Sequence, residues 1–127
     1  MKIDNKNVHV LLQKFFLQWL ITQRRVSPET VKLYRDSFKL FIKYLDTVHK
    51  IKPPAITVSF FDAEHILGFL DYLNRERKNQ IYTINNRLSA ILCFLRYLSF
   101  ELPEYSALVN RSLMIPFRKA DKRTMDF

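Results

Sequence analysis

Ser27-Pro28-Glu29-Thr30-Val31-Lys32-Leu33-Tyr34-Arg35 has the chemistry of a helix start, and the rest of the chain falls into place around it. A serine hydroxyl accepts from the free amides of a first turn, proline is preset for the first helical position, and Val26 outside the turn can staple onto Val31 within it. The helix should run to about Val48, because Lys50-Ile51-Lys52-Pro53-Pro54-Ala55 cannot continue it. About fifty residues after the first start, Thr83-Ile84-Asn85-Asn86-Arg87-Leu88-Ser89-Ala90-Ile91-Leu92-Cys93-Phe94-Leu95-Arg96-Tyr97-Leu98 has the same design, an apolar side and a basic or amide-bearing side.

Working outward, Val8, Leu11, Leu12, Phe15, Phe16, Trp19 and Leu20 recur at three and four residues and predict a first helix over Val8 to Gln23, closed by Arg24 and Arg25 at the negative end of its dipole. Ile56-Thr57-Val58-Ser59-Phe60 has strand propensity but no second strand to pair with, which predicts an extended connector. Asp62 caps a third helix with Ile66, Phe69, Leu70 and Leu73 inward. Gly68 within it costs about 1 kcal/mol against alanine and signals a close helix contact. The fourth helix spans about Ile81 to Phe100 with Ile84, Leu88, Ile91, Leu95 and Leu98 inward. Pro103-Glu104 opens a short fifth helix to about Asn110, and the basic segment from Arg111 to Phe127 reads as a linker.

The chain of 127 residues is sized for one domain. Its 48% hydrophobic content marks a folded core, and a single glycine disfavours hairpins, so the fold class is all-α. Lys plus Arg outnumber Asp plus Glu by 21 to 12, giving +9 and a pI near 9.9, which points to a polyanionic partner. The lone Cys93 excludes an internal disulfide and fits a reduced cytoplasmic setting. Neither a signal peptide nor a membrane span is visible.

On the second helix, Lys32, Arg35, Lys39 and Lys43 fall within a narrow arc at about 100° per residue, with no carboxylate expected among them. Such a stripe can serve as a phosphate ladder. Leu33, Leu40 and Tyr44 form a lesser stripe for a neighbouring helix or a second protomer. The fourth helix turns Tyr82, Asn85, Asn86, Ser89, Cys93 and Arg96 outward and carries no acidic residue, which suits contact with base edges and phosphates in a major groove. The third helix mixes Asp62, Glu64, Asp71 and Glu76 with Arg75, Arg77 and Lys78 and is the least suited to DNA. His9, His49 and His65 lie far apart without ligand-spaced partners, so no metal is expected, and the glycine count excludes a phosphate-binding loop.

The two helix starts, each preceded by an amphipathic helix, resemble the N-terminal core-binding domain of tyrosine recombinases, the phage-type integrases of bacterial mobile elements. The resemblance runs from about Val10 to Ile115-Pro116-Phe117-Arg118-Lys119, which with Lys122-Arg123-Thr124 looks like the linker into a catalytic domain. It implies a compact four-helix, SAM-like domain over residues 1–110, a short fifth helix, and a basic linker over 111–127. The implied partners are double-stranded DNA and other protomers of the same recombinase, tetrameric in the synapse, in the bacterial cytoplasm at the nucleoid. No membrane, small-molecule substrate or cofactor is implied. The expected DNA contacts are Arg24 and Arg25; Lys32, Arg35, Lys39 and Lys43; Tyr82, Asn85, Asn86, Arg87, Ser89 and Arg96; and Arg118, Lys119, Lys122 and Arg123. Catalysis in the family belongs to a C-terminal domain, and none of Tyr34, Tyr44, Tyr72, Tyr82, Tyr97 or Tyr105 matches its nucleophile. Two alternatives stay open, a helical protein-interaction module and a helix-turn-helix regulator.

Overall fold

The computed structural model describes residues 7–119 and is built from helices, with one isolated antiparallel bridge, Asn7 to Thr57. Helix α1 spans Val8–Lys14 and continues as a π-helix over Phe15–Gln23. The expected first helix is thus present, but its second half bonds differently. A spacing of threes and fours does not distinguish the two hydrogen-bond patterns. The Arg24 amide still reaches back five residues, to the Trp19 carbonyl.

Helix α2 spans Pro28–His49, and the Ser27 hydroxyl accepts from the Thr30 amide at 3.1 Å. It ends on Lys50 in the left-handed conformation, whose amide bonds the Asp46 carbonyl while Ile51 bonds that of Leu45. A chain with one glycine closes this helix with a lysine instead, and the cation also suits the dipole.

The expected extended connector is not extended. Pro53–Ala55 and Val58–Phe60 are 3₁₀ turns. Without a partner strand, the amides of Phe60 and Phe61 close on the local carbonyls of Thr57 and Val58, and Ile56, Val58 and Phe61 enter the core as plugs. Helix α3 covers Ala63–Arg75, capped by Asp62, whose carboxylate accepts from the His65 amide. Helix α4 covers Ile81–Glu101. After a 3₁₀ turn at Pro103–Tyr105, helix α5 covers Ser106–Leu113, three residues beyond the expected end.

Helix α4 is the axis of the domain and packs against α2, α3, α5 and the π-helical segment. All five of its expected inward residues are fully buried, and so are Ala90 and Phe94 on other sides of the helix. Phe15, Phe38, Phe61 and Phe94 meet edge-on or tilted with centroids 5.3–6.4 Å apart and bind the first, second and fourth helices to the connector. The close contact signalled by Gly68 is real. A Cβ there would lie 2.3 Å from the Tyr44 hydroxyl, so the glycine lets α3 approach α2.

Candidate nucleic-acid interface

On α2 the four expected cations are all exposed. The expectation of no carboxylate among them fails. Asp36 stands one turn from Lys32 and pairs with it at 3.3 Å, leaving Arg35, Lys39 and Lys43 as the part of the stripe with no ion pair among the described residues. The Leu33, Leu40 and Tyr44 stripe is largely consumed inside the domain. Tyr44 is buried against Phe41, Phe69 and Tyr72 and hydrogen-bonds His49 at 2.9 Å, while Leu40 is half-buried on the core.

Helix α4 is not a free polar face along its length. From Ala90 to Leu98 every residue but Arg96 is buried, so its accessible surface is its first turns, that arginine and its last residues, Phe100 and Glu101 among them. Cys93, expected outward, is buried. Its sulfur accepts from the Arg24 guanidinium at 3.3 Å, tying the end of the first helix to α4. The Tyr34 phenol from α2 lies near Ser89 and Cys93. Burial first, and the neighbouring thiol second, hold it above the ordinary phenol range.

Arg87 points inward. Its Nη1 donates to the Ser37 hydroxyl at 3.2 Å and to the Leu33 carbonyl at 3.4 Å, its Nε is buried without a partner, and desolvation lowers its pKa. Its charge is spent joining α4 to α2. Asn85 is likewise engaged: its Nδ2 donates to the Arg118 carbonyl and its Oδ1 accepts the Arg118 amide, both at 2.8 Å.

Tyr82 is three-quarters exposed, Asn86 is half-buried and Arg96 exposed. Arg25 is exposed beside Arg24, and the Asn85 contact brings Arg118, followed by exposed Lys119, to the start of α4. Lys122 and Arg123 lie outside the described residues. The structure therefore joins two groups, Arg24 with Tyr34, Ser89 and Cys93, and Asn85 with Arg118. Neither pairing was legible beforehand, since each links residues far apart in sequence. No hydrogen bond or ion pair ties Lys39 or Lys43 to another element among the described residues.

Helix α3 carries its charge in pairs, Arg75 with Asp71 at 3.0 Å and Glu64 with Arg111 of α5, and the Arg111 contact holds the Glu64 carboxyl below its usual range. Arg111, expected in the linker, thus belongs to the packed domain. Among the described residues no cluster of His, Cys, Asp or Glu could hold a metal, and no helix is long and apolar enough to cross a membrane.

A helical domain of this arrangement defines a class. Residues 14–101 match the family described as phage integrase, N-terminal SAM-like domain, and the chain belongs to that family. It is 38% identical over 117 residues to "Putative integrase/recombinase y4rC" of Sinorhizobium fredii strain NBRC 101917 / NGR234, covering 92% of this chain and 35% of that protein. A second protein of the same strain, "Putative integrase/recombinase y4rD", is 36% identical over 110 residues, covering 87% of this chain and 39% of its own length. The chain thus spans little more than a third of each relative. No solved structure matches it significantly.

Proposed function

We propose that this domain grips duplex DNA as one half of a clamp around a recombination half-site, within a tyrosine recombinase whose strand-cleaving chemistry lies in other residues than these. The observation that carries the reading is the exposed cation set Arg35, Lys39 and Lys43 on α2, without an ion pair among the described residues, on a family member whose α4 offers Tyr82, Asn86 and Arg96 to solvent. Cations on a helical stripe bind phosphates without sequence preference, whereas an amide and a guanidinium can make bidentate contacts with adenine and guanine. The α2 stripe would supply affinity and α4 what discrimination the domain has. Residues 111–127 would lead toward the catalytic part, with Arg118, Lys119, Lys122 and Arg123 crossing the backbone, and other protomers of the recombinase would share the DNA.

Titration of the chain against duplex DNA at two salt concentrations tests this. Each phosphate contact adds about 0.9 to the slope of log affinity against log salt. Lys39→Ala and Lys43→Ala should each lower the slope by about one unit for all sequences alike. Affinity that does not fall as salt rises would refute the proposal. Loss of a protein complex on mutating surface apolar residues, with DNA binding unchanged by charge reversal along α2, would favour the interaction-module reading.

A further inference from the structure

We infer that Asn85 is a positioning residue: it clamps the chain as it leaves the domain and holds Arg118 and Lys119 beside the exposed start of α4, instead of reading a base itself. The inference rests on the DNA reading for its consequence but on geometry for the clamp. A primary amide is the side chain that offers one donor and one acceptor side by side, as a peptide group does. Asn85 uses both on one residue, Nδ2 to the Arg118 carbonyl and Oδ1 from the Arg118 amide, each at 2.8 Å across 33 positions of sequence. The pairing copies a rung of a β-ladder and ignores the side chain of residue 118. The guanidinium is left to project from a fixed backbone.

The clamp has a second anchor. The Ser112 hydroxyl lies 3.5 Å from the Phe61 carbonyl, the Ile115 amide bonds the Ser112 carbonyl, and Ile115 is buried. Residues 115–118 are therefore held at both ends, and Pro116 between them further restricts the path. Two cations at 118 and 119 that would roam on a free tail are instead presented in one place. A cation already in position gives up less conformational entropy on meeting a phosphate.

The test has two readings on Asn85→Leu, which keeps roughly the size and removes both hydrogen bonds. In the DNA-free chain, hydrogen exchange at the Arg118 amide should be at least about tenfold faster in the variant, with core amides of α3 and α4 unchanged. Arg118 exchanging unprotected in the unmodified chain would overturn the clamp whatever the chain does with DNA. In DNA titrations, Asn85→Leu should cost affinity to all sequences alike, and should cost nothing further once Arg118→Ala and Lys119→Ala are already present. An effect of Asn85→Leu that persists undiminished in that background, or that is confined to one base position, would show Asn85 to be a base reader and overturn the inference. Should the unmodified chain fail to bind DNA, the DNA proposal falls, and the exchange measurement alone still decides whether the clamp exists.

Discussion

Gly68→Ala should destabilise this domain, against the ordinary behaviour of a glycine in mid-helix. Helix propensity alone favours the substitution by about 1 kcal/mol. Against it stands the Tyr44 hydroxyl, 2.3 Å from where the Cβ would be, on a ring that is 4% exposed and walled by Phe41, Phe69 and Tyr72. The phenol would have to retreat by about 1 Å to reach ordinary contact, an overpacking cost of about 1–3 kcal/mol. The retreat also strains its 2.9 Å hydrogen bond to His49, worth about 0.5–1.5 kcal/mol. The net loss is about 1–3 kcal/mol, a fall in melting temperature of roughly 4–12 °C for a domain of this size.

The sign should invert in a Tyr44→Phe background. Once the hydroxyl is gone, the nearest atom to the new Cβ is the ring carbon at 3.5 Å, an ordinary contact, and Gly68→Ala then realises its propensity gain of up to about 1 kcal/mol. Thermal melts of the four variants complete the cycle. If Gly68→Ala stabilises the unmodified protein, or destabilises equally in both backgrounds, the phenol is not what requires the glycine.

Arg87→Met should cost about 1–3 kcal/mol of stability, because it removes the charged donor shared by the Ser37 hydroxyl and the Leu33 carbonyl, which keep only their 2.8 Å bond to each other, and should leave the salt slope of DNA binding unchanged; a lower slope at unchanged stability would make Arg87 a phosphate ligand. Burial raises the Tyr34, Tyr44 and Tyr97 phenols above their ordinary 10.0. Folding therefore favours their neutral forms: their contribution is full below pH 10.0 and is lost as pH rises through the folded values. The urea midpoint should accordingly drop as pH rises above about 10, less so in Tyr34→Phe, and a midpoint independent of pH there would contradict the burial argument. A suicide DNA substrate incubated with the chain should give no covalent adduct on a denaturing gel, since Tyr44, whose hydroxyl bonds His49, is buried; any phosphotyrosyl product would overturn the division of labour proposed.

The helix starts were the most legible part of the sequence, because a cap is local. Ser27 and Asp62 each carry the expected bond to the amide three residues on. The inward residues of α3 and α4 were legible for the same reason, as one face of a regular period. What could not be read depends on partners distant in sequence. The Ile56 to Phe60 run has the composition of a strand, and only the lack of another strand turns its amides back on themselves. In the π-helical Phe15–Gln23 the buried residues, Phe15 and Leu20, fall five apart and the expected Phe16 and Trp19 are half-buried, a register that a sequence spacing of threes and fours does not reveal. One signal was present and was not used: Ala90-Ile91-Leu92-Cys93-Phe94-Leu95 is apolar at six consecutive positions, which marks a helix buried on all sides and not one with an outward face.

That central position of α4 bounds what the domain can contribute to recognition. Of the side chains expected to reach base edges, Asn85 holds the exit segment, Ser89 lies against the Tyr34 phenol, Arg87 points into the α2 contact and Cys93 is buried. Tyr82, Asn86 and Arg96 are left. At about 1–3 kcal/mol for each good bidentate contact, Asn86 and Arg96 together could discriminate by at most about 2–6 kcal/mol, and only if one duplex reaches both across nearly three turns of helix. Arg24, Arg25, Arg35, Lys39, Lys43, Arg118 and Lys119 outnumber them and suit phosphates. On the DNA reading this domain is therefore built to hold more than to choose. Under the proposed function, site selection beyond a few base pairs would come from other parts of the recombinase, or from the pairing of half-sites by several protomers.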